Sequence, residues 1–513
     1  MIESASFFFN SKFHTRKIVI ASVAGNLLDA CFQSTTSLES MTASSVLLTN
    51  IHSIMTGRAD DGGRATGPDI RVADGRIQAI GRLQALPGER VLDAGDCVVY
   101  PAWVNTHHHL FQSLLKGDPS GLNLPLTEWL AATPYRYRAR FDEKLFRLAA
   151  RIGLVELALS GCGTVADHHY LYYPGMPYDS SAILFEEADA LGLRFVLCRG
   201  GATQTRQLEA ELPSALRPES LSAYQDDVAR LAKRYHDAGP ASMRRIVMAP
   251  TTPLYSVQPA ELRELAAFGR SLGLRLHSHL SETVEYQQAA RGKFNCSPVE
   301  FVAEHDWLGP DVWFAHLVKL DAHEIAMLGR TGTGIAHCPQ SNGRLGSGIA
   351  PVRQLEAAGV TVSIGVDGAA SNEAADMISE THAAWLMQRA RAGQDALPGY
   401  AGGKAEGGAD AASIEDVVRW GSTGGARVLG LDGLQGITVG ACADIAVYSL
   451  DDPRYFGLHD PAIGPVASGG RPHLKWLLVD GRVVVEDDRL PGVDTRQLGR
   501  DAREAVRLLL AAA

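Results

Sequence analysis

Apolar residues along this chain fall into short runs whose character changes twice. From Ser44 to Val99 the runs are brief and rich in β-branched residues, broken by turn chemistry: SSVLLTNIHSIMT, then ADDGGRATGPD, then IRVADGRIQAIG. The Asp-Gly pair between β-branched flanks in RVADGRI is a hairpin signal. A near copy, LKWLLVDGRVVVEDD, returns at residues 474–488, preceded by ADIAVYSLDD at 443–452. Two hairpins of one kind, at opposite ends of a long intervening stretch, predict one small β-sandwich built from both chain ends.

Between them, strand-like runs alternate with helix-like ones. The strands are predicted over 97–106, 163–169, 193–200, 245–251, 274–280, 312–318, 334–340 and 362–368. Amphipathic segments separate them, for example 141–160 and 220–238. Eight strands with crossover helices predict an α/β fold, a (β/α)8 TIM barrel with all strands parallel. A doubly wound sheet is the alternative, but no glycine-rich phosphate loop opens any helix. The expected organisation is a first sandwich segment at 44–100, the barrel at 101–430, a second sandwich segment at 431–490 and a C-terminal helix at 491–513. Residues 1–43 lack a helix or strand period and are expected to be a disordered or spurious extension, with Met41 as the alternative start.

Composition narrows the partners. The formal charge of -10 and the absence of a basic cluster speak against nucleic acid and anionic membranes. No apolar run approaches the roughly 20 residues of a membrane span. Seven cysteines without paired spacing suit a reducing compartment, so a cytoplasmic address is expected.

The candidate chemistry sits where the predicted strands end. Val104-Asn105-Thr106-His107-His108-His109 closes the first, and alternation along a strand sends His107 and His109 one way and His108 the other. Two converging imidazoles are most of a catalytic metal's protein ligand set. In His277-Ser278-His279-Leu280-Ser281-Glu282, His279 lies nearer the strand end and can complete a three-imidazole site. Glu282 follows in the loop, placed to take and return a proton. Asp367 can reach the metal or its hydroxide, and His316 can hold the water from the other side. His168 or His169, Arg199 and His337 end further strands. In a barrel all of these share one rim.

The ordered motifs NTHHH (105–109), HLSE (279–282), AH (315–316) and VDG (366–368) resemble the amidohydrolase superfamily, and within it the cytosine/guanine deaminase and triazine hydrolase branch. The resemblance runs from about Ser44 to Asp488. It implies one divalent metal, zinc or else iron, on His107, His109, His279 and Asp367, with Glu282 as proton shuttle and His316 as partner of the attacking water. Two-metal members bridge their ions with a lysine at the fourth strand end; here that strand ends Met248-Ala249-Pro250-Thr251.

The stretches LCRGGATQTRQ, MAPTTPLYSV, AHCPQSNGRLGSG and SIGVDGAASNEAADM are similar to deaminases of the pterin isoxanthopterin, relatives of the 8-oxoguanine deaminases. This resemblance assigns Gln112 to the substrate edge and Arg199 to a ring oxygen. Arg344, in the loop after the seventh strand, departs from many relatives. The implied reaction is hydrolytic deamination of an aminated pterin or purine ring, a small heteroaromatic substrate, by a homo-oligomer. 8-oxoguanine deamination, triazine hydrolysis and a non-catalytic binding homologue are the alternatives; the last expects a lost ligand position, and all are present.

Overall fold

The computed structural model describes residues 45–212, 215–396 and 411–511, so the expectation for residues 1–43 lies outside the described residues. Eight strands form one sheet: β1 (Trp103–Asn105), β2 (Cys162–His169), β3 (Arg194–Arg199), β4 (Arg244–Met248), β5 (Arg275–Leu280), β6 (Val312–His316), β7 (Gly334–His337) and β8 (Val362–Ile364). They pair in parallel and in sequence order. The first also meets the last: Thr106 N–H donates to Ile364 O at 3.1 Å and Asp367 N–H to His107 O at 3.0 Å. The sheet is therefore a closed barrel. Every residue of β2 and β3 is buried, as it must be with a packed interior on one face and helices on the other.

The run predicted as one strand over 97–106 is two. Cys97–Pro101 pairs with Ile445–Ser449 and Ser53–Met55 outside the barrel, and only Trp103 begins β1. The break falls between Ala102, whose N–H still serves the outer ladder, and Trp103, whose N–H goes to Gly161 O at 3.0 Å. Pro101 has no N–H, and Ala102 turns its own N–H to Asp444 O at 3.0 Å.

Two further sheets come from the chain ends. One orders Arg76–Gly81, Asp69–Ala73, Val46–Thr49 and Arg90–Asp93. The other orders Arg482–Glu486, Leu474–Val479, Ile445–Ser449, Cys97–Pro101, Ser53–Met55 and Arg64–Ala65, thus mixing both ends of the chain. A single apolar cluster joins Leu48, Ile70 and Val72 of the first to Val99, Ile445 and Leu478 of the second, which makes them a sandwich. The two Asp-Gly turns have φ of 51° and 72° at Asp74-Gly75 and 49° and 75° at Asp480-Gly481, positive at both positions as a type I′ turn requires. They touch each other, for a Cβ at Gly75 would lie 2.8 Å from Asp480 Oδ1.

Arg194 fastens the barrel to this sandwich. Fully buried at the start of β3, it donates to Ala241 O at 2.5 Å, Ser242 O at 2.6 Å and both Asp444 carboxylate oxygens at 3.2 Å. Asp444 Oδ1 also accepts the Asp480 N–H at 2.9 Å. Arg194→Ala leaves a buried carboxylate without its cation and is expected to cost about 3–5 kcal/mol. Chemical denaturation checks this; a loss below about 1 kcal/mol would show that the pair does not fasten the two parts.

Candidate active site

The residues just beyond the strand ends close on one another. His107 Nε2 lies 3.3 Å and His109 Nε2 3.2 Å from Asp367 Oδ1. His109 Nε2 and His279 Nε2 are 3.2 Å apart. His108 points away, as alternation predicts, and its Nδ1–H donates to Asp367 O at 2.5 Å.

The far nitrogen of each imidazole decides what the near one can do. His279 Nδ1 lies 2.6 Å from Thr251 O and His109 Nδ1 2.7 Å from His168 O. A carbonyl only accepts, so each Nδ1 carries the proton and each Nε2 keeps its lone pair. His107 reaches the same state through a relay. His277 Nδ1–H donates to Trp313 O at 2.9 Å, which leaves His277 Nε2 to accept from His107 Nδ1–H at 2.8 Å. Burial holds His107 and His279 well below the ordinary imidazole range, and so neutral.

Three lone pairs and a carboxylate oxygen thus face each other across 3.2–3.3 Å. His107 Nε2 is buried with no hydrogen-bond partner. Such a set repels itself unless a cation stands among its members, and its chemistry fits a divalent metal. Gly365 gives the cluster room: a Cβ there would lie 2.6 Å from His107 Cβ and 2.9 Å from His107 N.

Backbone conformation also aims the site. His316 at φ 77° and Asp367 at φ 62° occupy the left-handed region that non-glycine residues avoid. His316 Nε2 comes 3.7 Å from Glu282 Oε2, and Ser347 Oγ donates to Glu282 Oε1 at 3.4 Å. Burial raises the Glu282 carboxyl above its ordinary value, against the opposing pull of His316. A carboxyl tuned upward is suited to both accepting and releasing a proton near neutrality.

His109, His279, His316, Glu282 and Asp367 form the floor of a cavity of about 310 Å³. Gln112 is in its wall, donating from Nε2 to Tyr170 OH at 2.9 Å, while its Oε1 is buried without a partner. Trp129, also in the lining, has its Nε1–H buried and unpartnered as well.

Of the residues singled out in the sequence, Arg199 is not brought to this cavity. Its guanidinium is 1% exposed, bonded to Glu219 at 2.7 Å through two nitrogens and to Asp227 at 3.0 Å, and stacked 3.7 Å from the Tyr172 ring centroid. The arginine that does line the cavity is Arg206, lying 3.9 Å over the Tyr255 ring. Of the pair His168 and His169, it is His168 that approaches His107, His109 and His279; His169 packs on Phe146 and Tyr172. His337 is buried outside the cavity lining.

His277 was visible as the i−2 neighbour of His279 on one strand face, yet its service to His107 required the fold. Arg206 carried no signal beyond its place in the loop after β3. Arg344 meets Glu373 at 3.1 Å and Gly121 O at 3.3 Å, at the cavity's rim.

A closed parallel barrel with a buried imidazole–carboxylate cluster at its C-terminal mouth is the architecture of a metal-dependent hydrolase. Residues 98–484 match the Amidohydrolase family, and the chain belongs to that family. Isoxanthopterin deaminase from an unknown prokaryotic organism is 68% identical over 472 residues, 91% of this chain and 98% of that one. The 8-oxoguanine deaminase of Pseudomonas aeruginosa is 36% identical over 86% of this chain and 94% of its own length. Among solved structures, an amidohydrolase from an environmental sample of the Sargasso sea superposes with a TM-score of 0.79 at 61% identity, over 91% of this chain and 99% of the other. Atrazine chlorohydrolase TrzN of Arthrobacter aurescens TC1, complexed with zinc, superposes at 0.80 with 26% identity, over 90% of this chain and 100% of that one. The chain is a hydrolytic deaminase of a metal-dependent family, breaking a C–N bond.

Gly365→Ala drives a methyl group into His107 and its backbone. The variant is expected to fold yet to purify with less than half the metal of the unaltered protein, measured by elemental analysis. Full metal content would mean that the cluster tolerates a displaced His107.

Proposed function

We propose that the substrate is an aminated pterin, isoxanthopterin, converted to 7-oxylumazine and ammonia. What carries the reading is one cavity lined by His109, His279, Asp367, Glu282, Gln112 and Arg206, in a chain 68% identical to an isoxanthopterin deaminase. We assign His107, His109, His279 and Asp367 as the ligands of one divalent ion per chain. Zinc is the preferred ion, on the precedent of the zinc-bound triazine hydrolase relative. A homo-oligomer and a cytoplasmic address belong to the same proposal, the latter supported by six free cysteines among the described residues.

When bound, the ion would supply a Lewis acid that lowers the pKa of a water from far above neutrality towards about 7. Glu282 takes a proton from the attacking water and delivers it to the ring nitrogen beside the amine-bearing carbon, which becomes electrophilic. His316 Nε2 and Asp367 orient that water and pass its second proton to the amino group, which departs as ammonia. Gln112 Oε1, an acceptor without a partner, takes a ring N–H, and the Arg206 guanidinium faces a ring oxygen. The apolar walls, with Leu126, Leu130 and Leu345, keep bulk water off the reacting face.

Glu282→Gln preserves shape but cannot shuttle a proton. It is expected to keep its metal and lose on the order of 10²–10⁴ in kcat. Loss of metal instead would make Glu282 a ligand. Ammonia release across isoxanthopterin, pterin, guanine, 8-oxoguanine and aminotriazines tests the substrate; preference for 8-oxoguanine would move the assignment to the purine, and for an aminotriazine to that class.

The two arginines should separate. A charge-assisted bond to a ring oxygen is worth about 1.5–3 kcal/mol, so Arg206→Met should cut kcat/KM for isoxanthopterin roughly 10- to 100-fold at about 1.36 kcal/mol per decade. A pterin lacking that oxygen should lose much less. Arg199→Met should instead lower the unfolding temperature, leaving Glu219 with its cation removed, and keep the ratio between the two substrates. A changed ratio in Arg199→Met alone would return the ring contact to Arg199.

A further inference from the structure

The segment after β7, Cys338 to Gly348, has a part in this chemistry beyond lining the mouth. Three of its side chains each bond one of the proton-handling groups. Ser341 Oγ donates to Asp367 Oδ2 at 2.6 Å, Asn342 Oδ1 accepts from His316 Nδ1 at 2.9 Å, and Ser347 Oγ donates to Glu282 Oε1 at 3.4 Å. All three are essentially buried, with Ser341 and Asn342 at 0% exposure. Bulk water therefore cannot stand in for them.

The segment is itself held hard. Glu380, buried on the helix Met377–Asp395, accepts the Gln340 backbone N–H at 3.0 Å, and also bonds the Gln340 side-chain amide. Asn342 O closes the following turn by accepting from Ser347 N–H at 2.8 Å and Gly348 N–H at 3.3 Å. Asn342 thus presents its amide from a fixed backbone.

We infer that Asn342 is the positioning residue for His316, and that the segment as a whole sets the geometry of proton transfer. Asn342 is not itself among the residues that line the cavity, and it meets that lining through His316. By accepting from Nδ1–H it fixes the tautomer in which His316 Nε2 bears the lone pair, directed towards Glu282 and the water position. It also offsets the strain of a histidine at φ 77°, since a ring anchored at Nδ1 cannot swing away from the mouth. The inference rests on the role proposed above for His316.

Asn342→Leu, close in volume but without an acceptor, is expected to lower kcat about 10- to 100-fold, the scale of losing a partner that orients an active-site histidine. KM and metal content should stay within about threefold of the unaltered enzyme, because Asn342 touches neither substrate nor ligand cluster. Asn342→Asp keeps an acceptor at the same place and should restore most of the rate. In a His316→Ala background, Asn342→Leu should cost nothing further, since its target is gone. An equal loss with and without His316 would overturn the positioning role, as would failure of aspartate to rescue, or a change in KM alone. Should Asn342→Leu not fold, the aspartate and an Asn342→Ser variant run through the same cycle decide the matter. A fully active His316→Ala would instead sink the role assigned to His316, a separate failure.

Discussion

Everything at the mouth of this barrel depends on keeping lone pairs pointed at one another. Left alone, three neutral imidazole nitrogens and a carboxylate within 3.2–3.3 Å would rotate apart. They are held by carbonyls of adjoining strands: Thr251, just past β4, fixes His279 of β5; His168 of β2 fixes His109 beyond β1; Trp313 of β6 fixes His277 of β5. A strand's terminal carbonyls have no further ladder to join, so the rim of a parallel barrel has acceptors available for its neighbours' side chains. The arrangement of lone pairs that fits a metal thus rests on ordinary main-chain hydrogen bonds. Individually they are worth about 1 kcal/mol, but together they choose one tautomer for every ring.

The fold was legible because its two periods are clear. β-branched flanks around Asp-Gly announced both hairpins, and eight apolar runs ending in polar residues announced the barrel. The clustered His107, His109, His279, Glu282, His316 and Asp367 were legible for the same reason, since a closed barrel brings distant strand ends together. What the reading did not use was the parity of each strand. Val196 and Cys198 of β3 belong to the inner apolar layer, so Arg199 must face the helices, and there it finds Glu219, Asp227 and Tyr224. Ala166 of β2 is inner, which brings His168 inward and sends His169 outward. Ala336 of β7 is inner, which turns His337 away. Each of these outcomes follows from alternation alone. Arg206, the rim arginine, lies in a loop where no period operates.

His316 is the informative exception to parity. Trp313 and Ala315 are inner residues of β6, so a regular strand would send His316 to the helix layer with His337. Its positive φ, followed by Leu317 at 45°, breaks the alternation at the last residue and returns the ring to the mouth. Strain of this kind persists only where surrounding contacts over-determine it, at a cost of order 1–3 kcal/mol. Here the contact is the Asn342 amide, and the element that carries it is pinned from behind by Glu380. A strained histidine and a rigid acceptor make sense as one device, since the acceptor is held independently by its segment and can hold the ring in turn.

The same reasoning bears on the cavity walls. Gln112 Oε1 and Trp129 Nε1–H are buried without partners, and an unsatisfied buried group costs about 1–3 kcal/mol. Gln112 donates from Nε2 to Tyr170 OH at 2.9 Å, and its Oε1 lies beside Gly368, where a Cβ would come within 2.0 Å of it. On the substrate reading proposed above, a flat ring that offers an N–H towards Gln112 and an acceptor towards Trp129 would recover both costs on binding, whereas a ring of equal size without them would recover neither. On that reading, selectivity among rings that all fit the cavity would depend less on volume than on which of them leaves these two atoms unpaired.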